Sequence, residues 1–107
     1  MLLADRPAIV YGGGGAVGGA VAAAFAREGA RVFLAGRTLE PLESVAAGIA
    51  AAGGRADIAL LDATDPIAVE RHIEAVAAET GPVKVMFNGI GWADTQGEEL
   101  IAMQFDR

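Results

Sequence analysis

The sequence of 107 residues contains no cysteine, so disulfide bonds and thiol chemistry are excluded. It has no uninterrupted apolar run of about 18 residues, the length that a membrane-spanning helix needs. Residues 1–7 are too short for a signal peptide. Basic residues are few, 8 against 14 acidic ones, and the net charge of −6 disfavours nucleic acid or an anionic membrane as a partner. These absences predict a soluble, cytoplasmic protein.

Apolar and small residues are abundant, with 53% hydrophobic residues and 15 glycines. The length and this composition predict one compact domain with a single core. Short apolar runs, typical of strands, alternate with segments of helical periodicity. The predicted strands are residues 8–11, 31–35, 56–61 and 83–87, and the predicted helices are 16–28, a segment between Thr38 and Gly53, a segment between Asp65 and Gly81, and a final one over 97–105.

This alternation predicts an α/β fold with a doubly wound parallel sheet, because crossover helices join parallel strands. Right-handed crossovers give the strand order 3-2-1-4, with helices 1 and 2 on one face and helix 3 on the other. We predict Thr38 and Asp65 as helix N-caps, the latter followed by a proline at the first helical position. The buried stripe predicted for helix 3 comprises Ile67, Ile73, Val76 and Ala77.

The most informative stretch is AIVYGGGGAVGG at residues 8–19. In a doubly wound sheet the ligand site lies where the strand order reverses, which is where this run stands. Glycines allow a tight turn and a close approach of the backbone to a pyrophosphate at the helix N-terminus. The alternative is a tight turn without a ligand. A Walker-type phosphate loop is excluded, because no Gly-Lys-Ser/Thr follows.

The order of these segments resembles the short-chain dehydrogenase/reductase family over nearly the whole chain. The family's Thr-Gly-x-x-x-Gly-x-Gly corresponds to residues 11–18, with Tyr11 in place of threonine and Ala16 in place of the middle glycine. The Gly-x-x-Gly-x-x-Gly of extended members fits Gly12, Gly15 and Gly18 without a mismatch. The resemblance implies a Rossmann-type fold that binds a nicotinamide dinucleotide.

Two further segments favour the classical or divergent classical branch. Asn88-Gly89-Ile90-Gly91 resembles the Asn-Asn-Ala-Gly of classical members, and Asp62 resembles the family's acid that faces adenine. The carboxylate of Asp62 can accept from an exocyclic amine, and the alternative is a solvated turn residue ahead of the next helix. For Asn88, scaffolding of the sheet edge is the alternative to cofactor contact.

The end of strand 2 indicates which dinucleotide is bound. NAD-binding proteins usually place an acid there to accept from the ribose 2′-hydroxyl, but this sequence has Gly36 followed by Arg37. Because a guanidinium binds a 2′-phosphate, we predict NADP over NAD, the alternative being a merely solvent-exposed Arg37. The missing acid also counts against an S-adenosylmethionine methyltransferase.

The resemblance and the residue chemistry together give a set of candidate cofactor-binding residues. These are Gly12, Gly14, Gly15, Ala16, Val17, Gly18, Arg37, Thr38, Asp62, Ala63, Asn88, Gly89 and Ile90.

Catalytic residues of the family are missing from this sequence. Family members use a Tyr-x-x-x-Lys pair and a serine, in which the tyrosine hydroxyl is the general acid or base. The sequence has one tyrosine, Tyr11, one lysine, Lys84, and one serine, Ser44, and their spacing does not give that arrangement. The single histidine, His72, is interpreted as structural or solvated. We therefore predict no catalytic residue and no metal ligand here.

Strand 4 (VKVMF) is apolar at nearly every position, as central parallel strands are. With no strand beside it, it would be an exposed edge and an aggregation liability. We therefore expect residues 1–107 to be the dinucleotide-binding part of a longer reductase, truncated before the catalytic segment, or to receive strands from another chain. Trp92, Met103 and Phe105 would then line a substrate wall or subunit contact, with core packing as the alternative.

The leading hypothesis is the NADP-binding part of an oxidoreductase that transfers hydride to or from a small-molecule carbonyl or alcohol, with a homo-oligomer expected for the full-length protein. The alternatives are a non-catalytic dinucleotide-binding sensor or interaction module and, third, a nucleotide-free structural fold.

Overall fold

The computed structural model describes residues 3–12, 14–83 and 85–89, together with the backbone of 102–105. Strands and helices alternate along the chain, in the order that the sequence predicts for the first seven elements. They are β1 (Pro7–Tyr11), α1 (Ala16–Arg27), β2 (Arg31–Gly36), α2 (Leu39–Ala51), β3 (Arg55–Leu60), α3 (Pro66–Thr80), β4 (Val85–Asn88) and β5 (Ala102–Phe105).

The strands form one sheet in the order β3-β2-β1-β4-β5. β1 pairs in parallel with both β2 and β4, so that Ile9 lies between Phe33 and Met86, and β3 extends the sheet in parallel beyond β2. The predicted parallel sheet with order 3-2-1-4 is therefore confirmed. Its order reverses beside β1, and the glycine-rich segment follows β1 directly.

The end of the described chain differs from the prediction. Residues 102–105 form β5, which pairs antiparallel with β4, with Val85 opposite Phe105. The predicted helix over 97–105 is therefore wrong at 102–105, and 97–101 lie outside the described residues. β4 is not the unpaired edge that we expected. The backbone groups along the apolar β4 need hydrogen-bond partners, and a strand provides them whereas a helix cannot.

Alternate residues of the buried strand β1 serve two cores, because successive side chains of a strand point to opposite faces. Ala8 and Val10 pack beneath α1 and α2, whereas Ile9 and Tyr11 pack beneath α3. The predicted placement of the helices on the two faces is thus confirmed. The first core also contains Ala22, Val32, Leu34, Leu42, Ile49, Val85 and Phe87.

The ends of α3 follow the predicted chemistry. The Asp65 carboxylate accepts from the N–H groups of Ile67 and Ala68 at 3.0 and 3.4 Å, and Gly81 ends the helix with φ 89°. The predicted stripe is wrong at Ile67, which is 62% exposed because it lies in the first turn, beyond the sheet. Val69 packs against the core instead.

Ion pairs join the elements at the amino edge of the sheet. Arg31, at the start of β2, pairs with Asp57 of β3 at 3.0 Å and with Glu79 near the end of α3 at 2.9 Å. Arg55 pairs with Asp5, just before β1, at 2.6 Å. All three contacts lie at the end of the sheet opposite the glycine-rich segment.

Candidate functional site

The turn after β1 is built from backbone groups. Gly12 has φ 73°, in the left-handed region that favours glycine, and its N–H donates to the Ala35 carbonyl on β2 at 2.9 Å. The Gly15 N–H then donates back to the Gly12 carbonyl at 3.0 Å. These two hydrogen bonds turn the chain sharply from the strand into the helix.

The first turn of α1 has free donors. Gly15 stands at the N-cap position and has no side chain to cap the helix. The N–H groups of Ala16, Val17 and Gly18 therefore have no acceptor within the helix, and the helix dipole is positive at this end. No acidic residue lies in this first turn. The turn thus provides the backbone donors and the positive end of the helix dipole that an anion needs.

A cleft of about 220 Å³ opens beside this turn, at the carboxyl ends of β1 and β2. One wall is the glycine-rich turn and the other is the segment that leads from β2 into α2. Its lining residues are Gly12, Gly14, Gly15, Gly36, Arg37, Thr38, Pro41 and Leu42. The cleft brings together five of the predicted site residues, and none of the residues that line it is acidic.

Thr38 occupies the predicted N-cap position of α2, but within the described residues its side chain makes no capping hydrogen bond. Pro41, the third residue of α2, has no N–H, so of the two N–H groups from which an N-cap side chain usually accepts, only that of Glu40 is present. The exposed Thr38 hydroxyl therefore belongs to the cleft wall rather than to the helix end.

Asp62 follows β3, and its carboxylate closes a local turn. Oδ1 accepts from the Thr64 hydroxyl at 2.6 Å and from the Thr64 N–H at 2.9 Å. These hydrogen bonds, with a smaller contribution from the positive charge of Arg37, lower the pKa of Asp62. Asp62 is therefore a turn residue whose carboxylate is also held in the ionised form. Its Oδ2 atom accepts no hydrogen bond from the described part of the chain.

The end of β4 lies against the glycine-rich turn. The Gly89 N–H donates to the Tyr11 carbonyl at 3.0 Å. A Cβ at Gly89 would lie 2.9 Å from a ring carbon of Phe87 and 3.7 Å from the Gly18 Cα. A side chain at Gly89 would therefore require the Phe87 ring to move, whereas its distance to α1 would be ordinary van der Waals contact.

The other predicted site residues lie along the same edge of the sheet but do not line the cleft. Ala16, Val17 and Gly18 form the start of α1, Asp62 and Ala63 follow β3, and Asn88 and Gly89 end β4. Ile90 lies outside the described residues, as do Gly13, Lys84, Gly91 and Trp92, and nothing is described of the side chains of Met103 and Phe105.

Sequence reasoning missed two cleft residues, Pro41 and Leu42. The short connection from β2 to α2 was the available signal, because it keeps the first turn of α2 at the carboxyl edge of the sheet. Which face of that turn points to the glycines depends on the packing of Leu42, which is 1% exposed.

The groups that could carry acid–base chemistry lie away from the cleft. The Tyr11 side chain is buried beneath α3, His72 is half-buried on α3, and Ser44 is exposed on α2. In residues 3–12, 14–83 and 85–89, no group of three His, Cys, Asp or Glu side chains could hold a metal ion. Among the same residues, no helix is long and apolar enough to cross a membrane.

Solved structures with a similar fold are numerous. A metagenomic short-chain oxidoreductase in complex with NADP has a TM-score of 0.79 and 32% identity, with 88% of this chain and 43% of that chain covered. A variant of actinorhodin polyketide ketoreductase with NADPH has a TM-score of 0.74 and 31% identity, with 80% of this chain and 33% of that chain covered.

Curated relatives are oxidoreductases by name. The gluconate 5-dehydrogenase of Gluconobacter oxydans is 36% identical over 89 residues, which make up 83% of this chain and 35% of that enzyme. The chain thus spans well under half the length of the relatives that it matches. The family model described as short chain dehydrogenase matches residues 6–107. With nearly its whole length matched, and with a Rossmann-type sheet whose order reverses at a glycine-rich turn, the chain belongs to the short-chain dehydrogenase family.

Proposed function

We propose that this chain is the NADP-binding part of a short-chain dehydrogenase/reductase. The observation that carries the proposal is the cleft, where a turn of bare backbone faces an arginine and a threonine with no carboxylate among the lining residues. Such a cleft fits a dinucleotide that carries a pyrophosphate and a further phosphate on one ribose.

The pyrophosphate would lie on the glycine-rich turn and the start of α1. The free N–H groups of Ala16, Val17 and Gly18 provide donors, and the helix dipole favours the negative charge. The missing side chains at Gly12 and Gly15 let the phosphates approach these donors closely.

The adenosine ribose would lie beside Gly36, where Arg37 and Thr38 can contact its 2′-phosphate. An acid at this position would repel that phosphate, whereas a guanidinium pairs with it through two parallel hydrogen bonds. The two solved neighbours named above are complexes with NADP and NADPH, which supports the same choice for this chain. We therefore favour NADP over NAD.

Further along the edge, Asp62 and Ala63 would contact adenine, through the Oδ2 atom that Thr64 leaves free. Asn88, Gly89 and Ile90 would lie beside the ribose and nicotinamide at the other end of the dinucleotide. The shape of the sheet supports this assignment, since β3, β1 and β4 all end on one edge.

When bound, the nicotinamide would supply the hydride or accept it, and the substrate would be a small-molecule carbonyl or alcohol. The described residues of this chain would bind and orient the cofactor, because the acid–base groups Tyr11, Ser44 and His72 do not line the cleft. The proton transfer would therefore depend on a serine and a Tyr-x-x-x-Lys pair in a longer parent protein. We propose that this parent is a cytoplasmic homo-oligomer and that residues 1–107 are its dinucleotide-binding part.

The test is calorimetric titration of the full-length parent protein with NADPH and with NADH, followed by NADPH oxidation with a panel of carbonyl compounds. We expect NADPH to bind more tightly than NADH and at least one carbonyl to be reduced. Equal or absent binding of the two cofactors contradicts the choice of NADP.

A second candidate is a non-catalytic dinucleotide-binding module. The pairing of β5 with β4 favours it, because this part of the chain then has no open strand edge at β4. Tight NADPH binding by the parent protein without turnover of any carbonyl or alcohol would support the module and contradict the reductase.

A further inference from the structure

The glycine-rich turn and the first turn of α2 are in direct contact at Gly14 and Pro41. A Cβ at Gly14 would lie 2.7 Å from the Pro41 Cβ and 3.3 Å from its carbonyl carbon. It would also lie 3.4 Å from the backbone nitrogen of Leu42. A separation of 2.7 Å between two carbon atoms is well below their optimal distance, so a side chain at residue 14 requires one of the two walls to move.

Neither wall moves easily. Pro41 lies in the first turn of α2, and the helical backbone holds its Cβ in place, so this atom cannot rotate away. The next residue, Leu42, is anchored in the core, and a Cβ at Gly36 would already lie 3.4 Å from the Leu42 side chain. On the other side, Gly12 and Gly15 hold the turn through their hydrogen bonds to Ala35 and to each other.

We propose that Pro41 is a positioning residue of the cofactor site. Through its contact with Gly14, it sets the distance between the glycine-rich turn on one wall of the cleft and Arg37 and Thr38 on the other. This inference rests on the proposed function, because it concerns how one dinucleotide can contact both walls at once.

The proposal predicts how the preference for NADPH over NADH changes when the two walls move. NADPH and NADH both use the glycine-rich turn, but only NADPH carries the 2′-phosphate that reaches Arg37 and Thr38. A change in the distance between the two walls of the cleft therefore weakens the binding of NADPH more than the binding of NADH. A purely structural role of the contact would weaken both cofactors by the same factor.

The experiment uses Gly14→Ala in the full-length parent protein, alone and combined with Pro41→Gly or Pro41→Ala. Pro41→Gly removes the Cβ that the added methyl group at residue 14 would meet, whereas Pro41→Ala keeps it and is the matched control. We expect Gly14→Ala to weaken NADPH binding about tenfold, because the shifted wall loses part of a charge-assisted contact with the 2′-phosphate, and NADH binding by no more than about threefold.

The double variants decide the cause. We expect the double variant Gly14→Ala/Pro41→Gly to bind NADPH as tightly as Pro41→Gly alone. The double variant Gly14→Ala/Pro41→Ala should bind NADPH no more tightly than Gly14→Ala alone. Equal loss of both cofactors in Gly14→Ala, or equal recovery with both proline substitutions, overturns the proposal. Gly48→Ala on α2, with no atom within 4 Å of its new Cβ, should leave both affinities unchanged.

Two outcomes separate this inference from the function on which it rests. If the wild-type protein binds neither cofactor, the proposed function fails and the inference fails with it. If the wild type binds NADPH but Gly14→Ala keeps the ratio of the two affinities, only the inference fails. Should Gly14→Ala not fold, the single variants still decide, because Pro41→Gly must lower the preference for NADPH and Pro41→Ala must keep it.

Discussion

The ring of Tyr11 meets the ring of His72 edge to face, with centroids 6.1 Å apart and planes inclined at 72°. The contact joins the end of β1 to the middle of α3. Burial raises the pKa of Tyr11 to about 12 and lowers the pKa of His72. The Tyr11 Oη and the His72 Nδ1 are both buried without a hydrogen-bond partner among the described residues. A buried polar atom without a partner costs stability, so this contact contains both a favourable and an unfavourable contribution.

Tyr11→Phe tests the energetic cost of the buried, unpartnered Tyr11 hydroxyl. The substitution keeps the ring and its packing and removes only the buried hydroxyl. We expect the free energy of unfolding in urea to rise by about 1 kcal/mol, since a buried unpaired hydroxyl costs on that order. Tyr11→Leu, which also removes the ring contact, should lower it. A clear loss of stability in Tyr11→Phe would mean that the hydroxyl has a partner.

His72 should make folding stability depend on pH. Because its pKa is lowered in the folded protein, the unfolded chain binds a proton more readily around its ordinary value of 6.5. The stability linked to neutral His72 is therefore fully present above pH 6.5 and is lost as the pH falls below that value. We expect His72→Leu to flatten the dependence measured by urea unfolding between about pH 7 and pH 5. Asp62→Asn is the control, because Asp62 titrates at lower pH, and an unchanged slope in His72→Leu would contradict the prediction.

The N-cap residue of α3 should contribute more to the free energy of unfolding than the N-cap residue of α2. Asp65 accepts two backbone hydrogen bonds, so Asp65→Ala should lower the free energy of unfolding by about 1 kcal/mol, while Asp65→Asn should keep most of it. Thr38→Ala should change stability much less, because Thr38 makes no capping bond in the described structure. Thermal unfolding of the three variants checks this order.

Two glycines near the end of α2 should respond oppositely to alanine. A Cβ at Gly48 meets no atom within 4 Å, and Gly48→Ala should raise the free energy of unfolding by about 0.5–1 kcal/mol, because alanine favours a helix interior. A Cβ at Gly54 would lie 2.8 Å from the Ile49 Cγ2 and 3.2 Å from the Ala26 Cβ, so Gly54→Ala should lower stability. Urea unfolding of both variants gives the comparison, and destabilisation of equal size would contradict it.

Arg37→Ala tests the cofactor preference. We expect the substitution to weaken NADPH binding about 10- to 100-fold, the worth of one charge-assisted contact, and to leave NADH within about threefold. Arg27→Ala removes the same charge from the far end of α1 and is the control for net charge. Equal weakening of both cofactors by Arg37→Ala, measured by calorimetry, would remove Arg37 from the 2′-phosphate site.

Much of the fold was predictable from the sequence because its strands and helices carry strong local signals. The apolar run ending at Tyr11 predicted a strand, and the Asp65-Pro66 pair predicted the start of α3. Features that depend on neighbours were not predictable. Thr38 makes no capping hydrogen bond among the described residues, Ile67 is exposed in the first turn of α3, and 102–105 form a strand beside β4.

The residues of the candidate site likewise fall into those that the sequence predicted and those that it did not. The glycine-rich turn and Arg37 were predictable, because glycine and arginine indicate a phosphate site by their own chemistry. Pro41 and Leu42 were not, since apolar residues in a helix indicate only packing. Their place in the cleft follows from how α2 is rotated on the sheet, and that rotation is a property of the core.

The ion pairs of Arg31 and Arg55 have a consequence for how such a domain can change. They connect β2, β3, α3 and the segment before β1 at the end of the sheet that is remote from the cleft. Within the described residues, no ion pair is found at the opposite end, where the cleft lies. Residues at the cleft end can therefore be exchanged, and its loops lengthened, without breaking these ion pairs, so that one scaffold can be adapted to new chemistry while its other end keeps its contacts.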